Sequence, residues 1–191
     1  MLPGAMSGTH GHPSDSAATE ASGSHHMRLL TILCLMLVAA KFGTSLAHVA
    51  ELPGKLRLDE ATYRAVQTIY YPGFTLVGLV GEFGGMIALV VLLALTPYGT
   101  NRFWWTAVAL ACLLAGHATY WLMTHPLNPV WVKDLDMSAT GSTFFSTSAD
   151  AKARDWKNLR NRWELSHAII AGLVTLSLIS IAVATSLLET T

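Results

Sequence analysis

The chain has 191 residues, 52% of them hydrophobic and 13% charged, and 12 Lys and Arg balance 12 Asp and Glu to a formal net charge of zero. A mean hydropathy of +0.43 is high for a soluble domain, and with no basic surplus no nucleic-acid partner is expected, so composition points to an integral membrane protein. The cysteines, Cys34 and Cys112, both lie in apolar runs; buried packing thiols are the expected role, with a disulfide between them as the alternative.

Residues 1–27 are rich in Gly, Ser, Thr, Ala and His without a hydrophobic period and read as a disordered tail. The run Gly23-Ser24-His25-His26-Met27 looks like an added leader, and Met27 before Arg28 makes an ordinary beginning, so one membrane domain is expected over 28–188. A first span over about 28–50 meets the ~20 residues a membrane helix needs; its length, Lys41 and its polar end argue against a cleaved signal peptide. Lys41, Thr44, Ser45 and His48 share one stripe of it, with Glu51 just around the helix. Leu52-Pro53-Gly54 is expected to break this helix. Asp59 suits the N-cap of a short interfacial helix to about Tyr71, and Tyr63, Tyr70 and Tyr71 suit a membrane–water boundary.

The second span, about 73–95, carries Gly78, Gly81, Glu82 and Gly85, and Gly81-x-x-x-Gly85 is a spacing that lets helices approach closely. The third, about 103–123, begins with Trp104 and Trp105, holds His117, Tyr120 and Trp121, and is expected to end at Thr124-His125-Pro126. A polar loop over 133–154, with Phe144-Phe145 in its middle, precedes a fourth span of about 164–188. The expected fold class is therefore all-α: an up-down four-helix membrane bundle with a short interfacial helix and a polar loop before the last span. Loops 51–71 and 125–163 share one end of it, here called end A, and hold Lys55, Arg57, Arg64, Lys133, Lys152, Arg154, Lys157, Arg160 and Arg162, against Arg28 and Arg102 at the other. The excess of basic residues in cytoplasmic loops puts end A inside, in a multi-pass protein of a bacterial inner (plasma) membrane.

An ionisable side chain costs roughly 2.5–3.5 kcal/mol at the centre of a spanning helix. His48, Glu51, Glu82, His117, Glu164 and His167 nevertheless all fall in the end-A half; Glu82 lies about ten residues, or roughly 15 Å, in from that end. From Asp155 the chain reads Asp-Trp-Lys-Asn-Leu-Arg-Asn-Arg-Trp-Glu-Leu-Ser-His, which puts Trp156, Arg160, Trp163 and His167 on one helix face with Glu164 beside it. Three readings compete. His48-x-x-Glu51 and Glu164-x-x-His167, with Glu82 and His117, are similar to the ligand set of carboxylate-bridged di-metal bundles. A metal-free, proton-handling pocket would use His117 or His167 as base, with Glu82 paired to Lys41 or Arg160. The same groups could also serve only as hydrogen-bond partners that fix helix register. Their convergence in one half favours a pocket. Trp121, Trp131, Trp156 and Trp163 read as an aromatic belt, with Trp163 alternatively walling a flat aromatic ligand.

Thr124-His125-Pro126-Leu127-Asn128, followed by Trp156-x-x-x-Arg160-x-x-Trp163-x-x-x-His167, resembles the anthrone-oxygenase-like family of small four-helix bacterial and fungal membrane proteins. The resemblance covers roughly 28–188 and is anchored on Asn128, Trp163 and His167; an arginine that often follows the histidine in such proteins is replaced here by Ala168-Ile169-Ile170. It implies an oxidoreductase or oxygenase acting on a lipophilic aromatic or quinone-like small molecule, without a recognised cofactor. His167 would remove a benzylic proton, Asn128 and Arg160 would stabilise the oxyanion, and Trp163, with Trp156 and Tyr120, would hold the rings. The cofactor stays open between none and a transition metal. Expected partners are the bilayer, the lipophilic molecule and a second copy of the chain. Two rival functions are a proton- or ion-coupled transporter with Lys41, Glu82 and His117 as its relay, and an accessory subunit of a membrane complex.

Overall fold

The computed structural model describes residues 13–131 and 155–187, so the expected loop over 133–154 lies outside the described residues. Regular structure among the described residues is helical: α1 (Pro13–Lys55), α2 (Glu60–Gln67), α3 (Gly73–Leu95), α4 (Asn101–Thr119), α5 (Asn128–Trp131) and α6 (Trp156–Ser186). Four stretches, Ser22–Lys55, Gly73–Leu95, Asn101–Trp131 and Trp156–Ser186, are long and apolar enough to cross a membrane. The chain is accordingly a multi-pass, all-α membrane protein.

Three boundaries differ from those read off the sequence, and the last two shape the site. Helix α1 starts at Pro13, so part of the stretch taken as a disordered tail is helical; once an apolar span has nucleated a helix, each added residue gains a hydrogen bond at little further cost. At its other end α1 runs through Pro53 to Lys55 instead of breaking at Leu52-Pro53-Gly54. Proline there forfeits a single intrahelical bond, and the Lys55 ammonium anchors the turn in a buried cluster. The third span likewise passes Thr124-His125-Pro126. Beyond Thr119 it widens into a π-helical turn, Tyr120–Thr124, tightens into a 3-10 turn, His125–Leu127, and continues as α5 to Trp131. Pro126 is tolerated because it falls in the first turn of the 3-10 segment, where its missing N–H would have had no helical acceptor. The wider π turn keeps Tyr120, Thr124 and Asn128, each four residues from the next, on the same side. Asp155 caps α6, accepting from Lys157 N at 3.1 Å, so the stretch read from Asp155 as one helix face and the fourth span form a single helix.

Helix α1 packs against α3 and α6, and α4 against α6 and α3. The α1–α3 approach needs glycine at 81, where a Cβ would stand 2.8 Å from both Leu37 O and Lys41 N; one on Gly85 would stand 3.2 Å from Leu113 Cδ2 of α4. Away from end A the bundle is filled by Cys34, Val38, Leu89, Leu92, Leu113, Val174 and Ile181, and both cysteines are free. Hydrogen bonds from Arg102 Nη2 to Thr31 Oγ1 (2.9 Å) and from Ser177 Oγ to Ala109 O (2.8 Å) tie this half together.

At end A, α2, α5 and the start of α6 form a cap around Tyr63, Leu127, Val130, Trp131, Leu159 and Trp163. Asp59 caps α2, accepting from Thr62 N at 2.8 Å, and that bond holds its carboxyl below the ordinary range. Trp104 and Trp105 are exposed at the opposite end, as suits a headgroup boundary. Tyr63, Tyr70, Trp131 and Trp163, by contrast, are buried rather than interfacial, because their polar atoms or ring faces are engaged inside the cap and the cavity wall.

Candidate functional site

Between the four spans, beneath the cap, lies a cavity whose empty space, open solvent at its mouth included, is ≈ 970 Å³. The whole α1 stripe of Lys41, Thr44, Ser45 and His48 lines it, as do Phe74, Gly78, Glu82 and Phe83 of α3. His117, Tyr120, Thr124, Asn128 and Trp131 come from α4 and its continuation, Trp163, His167 and Ile170 from α6, and Gln67, Tyr70 and Tyr71 close the α2 side. From His48 to Lys41 is roughly 10 Å along the helix axis, so the cavity reaches well below the cap.

Its deep end is charged. Lys41 forms an ion pair with one oxygen of Glu82, and the other lies 2.5 Å from His117 Nδ1. Trp121 Nε1 donates to His117 Nε2 at 2.9 Å. An indole N–H can only donate, so Nε2 is the acceptor and the imidazole hydrogen sits on Nδ1, where it donates to Glu82. Two donors from two other helices thus compensate a carboxylate inside a span.

The α6 wall is set differently. His167 Nδ1 donates to the Trp163 carbonyl at 2.9 Å. A carbonyl can only accept, which leaves the lone pair of the neutral ring on Nε2. Ser166 Oγ donates to the same carbonyl at 2.6 Å and accepts from Thr124 Oγ1 at 2.8 Å. The His167 ring lies with its centroid 3.9 Å from that of Trp163 and 4.4 Å from that of His48. Trp163 is held in turn: its Nε1 donates to Asn128 Oδ1 at 2.8 Å, and Asn128 Nδ2 donates to the Tyr120 hydroxyl at 3.2 Å. Tyr120, Asn128 and Trp163 thus form one hydrogen-bonded chain ending beneath His167.

Behind His48 is a second charged cluster that the sequence did not reveal. The Lys55 ammonium is 3.5 Å from His48 Nδ1, 3.3 Å from Glu51 and 3.5 Å from Glu164, and lies over the rings of Tyr70 (4.6 Å) and Trp163 (5.4 Å). The Tyr63 hydroxyl donates to Glu164 at 2.8 Å, and that of Tyr70 to Glu51. Burial first, and then the facing carboxylate, pushes both phenols above their ordinary range. Lys55 had counted as a flanking loop charge. Its position four residues after Glu51 and seven after His48, on one face of a continuing helix, was the available signal.

The sequence-derived candidates separate in consequence. His167, Asn128, Trp163, Tyr120, Lys41, Glu82 and His117 all line the cavity. Arg160 and Trp156 do not. Arg160 bonds to Asn161 Oδ1 (3.0 and 3.2 Å) and Leu56 O (3.3 Å) and lies 5.1 Å over the Trp156 ring, which itself packs toward Tyr63. Both residues brace the cap; neither an oxyanion role for Arg160 nor ring binding by Trp156 fits that placement. The six-residue metal set also divides, with Glu51 and Glu164 around Lys55 and Glu82 bound to His117. Among the described residues no group of three or more His, Cys, Asp or Glu side chains is placed to hold a metal ion. Compared with protein-family models, curated proteins and solved structures, the chain matches none.

Proposed function

We propose that the protein is an oxidoreductase of the oxygenase type that draws a lipophilic aromatic or quinone-like molecule from the bilayer into the cavity and uses Nε2 of His167 as the base. The observation that carries this reading is the hydrogen bond from His167 Nδ1 to the Trp163 carbonyl, which makes Nε2 the basic nitrogen of the neutral ring. The aromatic surfaces of Trp163, His48, Phe74 and Tyr70 along the same cavity suit a flat ring system. The likeness of Asn128, Trp163 and His167 to the anthrone-oxygenase-like pattern points to the same chemistry. End A faces the cytoplasm of a bacterial inner membrane in this reading, supported by the basic residues of its loops.

Anthrone illustrates the reaction. His167 takes a proton from the ring methylene, and the charge spreads to the keto oxygen. The carbanion gives one electron to dioxygen and recombines with the superoxide, and the peroxide recovers a proton from His167. Loss of water then leaves the second carbonyl, so one anthrone and one dioxygen yield one quinone and one water. Protein reconstituted in nanodiscs should consume dioxygen with anthrone, and His167→Gln should lower that rate by roughly 10²–10⁴-fold. Uptake no faster than in empty nanodiscs would refute the reading.

The Lys41–Glu82–His117–Trp121 chain favours one second reading, a proton-coupled carrier. It predicts uptake of a lipophilic solute into liposomes driven by a pH gradient and lost in Glu82→Gln.

A further inference from the structure

Gln67 Nε2 and Trp131 Nε1 are buried side-chain donors with no hydrogen-bond partner, and both residues line the cavity. Their side chains are deeply buried, at 3% and 5% exposure. Buried polar groups are as a rule hydrogen-bonded, so two unanswered N–H groups at one end of the cavity need an explanation. They belong to the same end. Tyr63 and Gln67 are four residues apart on one face of α2, and the Trp131 ring packs against Tyr63 at 5.2 Å. That is the cap end, opposite Lys41, Glu82 and His117. Both donors are uncharged and set in an aromatic wall, which suits a neutral acceptor oxygen rather than an anion.

We propose that Gln67 and Trp131 form a carbonyl-recognition subsite, which receives an aryl-ketone or quinone oxygen of the bound molecule. The proposal rests on reading the cavity as the site for a lipophilic aromatic molecule, and on nothing about the reaction that follows. Neighbouring atoms shut both nitrogens from solvent; the subsite forms when the Gln67 carboxamide and the Trp131 indole turn their N–H groups toward the cavity.

Equilibrium dialysis of the full chain in nanodiscs against anthraquinone and anthracene, two three-ring molecules that differ in their oxygens, tests the subsite. Wild type should bind anthraquinone about tenfold or more tightly than anthracene, since two hydrogen bonds otherwise left unmade are gained. Gln67→Leu and Trp131→Phe should each cut this preference to about threefold or less while leaving anthracene affinity unchanged. Because Gln67→Leu deletes an unanswered donor at nearly constant volume, its melting temperature without ligand should hold or rise. Equal binding of the two probes by wild type, an undiminished preference in both variants, or a fall in the ligand-free stability of Gln67→Leu would overturn the subsite. Failure of wild type to bind either probe would refute the underlying cavity reading, and the subsite with it.

Discussion

The indole N–H of Trp121 donates to Nε2 of His117 at 2.9 Å, which directs the other imidazole nitrogen, and its hydrogen, at Glu82. With Lys41 on the second carboxylate oxygen, Glu82 becomes the hub of three helices. Removing one member of such a buried pair strands the other, at a cost of about 3–5 kcal/mol, whereas replacing both with apolar groups is often neutral. Glu82→Gln should therefore destabilise the protein by about that amount in denaturant unfolding from mixed micelles. The double variant Lys41→Met/Glu82→Leu should recover most of the loss. Equal stability of the single and double variants would mean the pair is not a coupled buried charge.

Gly81 and Gly78 offer a paired test of the α1–α3 contact. A methyl on Gly81 would collide with backbone atoms of Leu37 and Lys41 at 2.8 Å, whereas the nearest atom to a methyl on Gly78 is Thr44 Oγ1 at 3.9 Å. Gly81→Ala should cost about 1–3 kcal/mol or more, as overpacking does, and should shift Lys41 away from Glu82. Gly78→Ala should be close to neutral in the same unfolding measurement.

Arg160 braces the cap rather than serving the cavity, through Asn161, Leu56 O and the Trp156 ring. Arg160→Met should lower stability by about 1.5–3 kcal/mol, the usual worth of hydrogen bonds to a charged group. Turnover per folded molecule should be nearly unchanged. A large fall in turnover at full stability would return Arg160 to the chemistry.

The phenols of Tyr63 and Tyr70 lie above their ordinary range, first through burial and then through Glu164 and Glu51. A group whose folded value is raised contributes stability in full below its unfolded value, about 10 for tyrosine. That contribution erodes as pH climbs from there toward the folded value. Stability should therefore fall above about pH 10. Tyr63→Phe and Tyr70→Phe, compared with wild type across that window, should each flatten the decline.

Much of this architecture was legible in the sequence because hydropathy and punctuation agree. Helix α3 occupies 73–95 as read, with Pro72 before it, and Asp59 caps α2. The lining stripe of α1 followed from helical spacing alone. What escaped was set by tertiary partners. Pro53 and Pro126 read as breakers because the compensation at each lies elsewhere in the fold: the buried Lys55 cluster for one, the π and 3-10 turns for the other. Arg160 and His167 share a helix face in sequence, yet Leu56 O draws the arginine into the cap while the histidine remains on the cavity wall. Gln67 and Trp131 carried no signal, since an unanswered donor is visible only once its surroundings are known.

Proton abstraction by His167 can be isolated from the oxygen chemistry. With dioxygen excluded, anthrone in nanodiscs and deuterated buffer should take up deuterium at its methylene faster with wild-type protein than without it, as followed by NMR. His167→Gln, which keeps a polar side chain of similar reach but no basic nitrogen, should reduce that acceleration by roughly 10²–10⁴-fold. Exchange as fast in His167→Gln as in wild type would contradict the assignment of Nε2 of His167 as the base of the cavity.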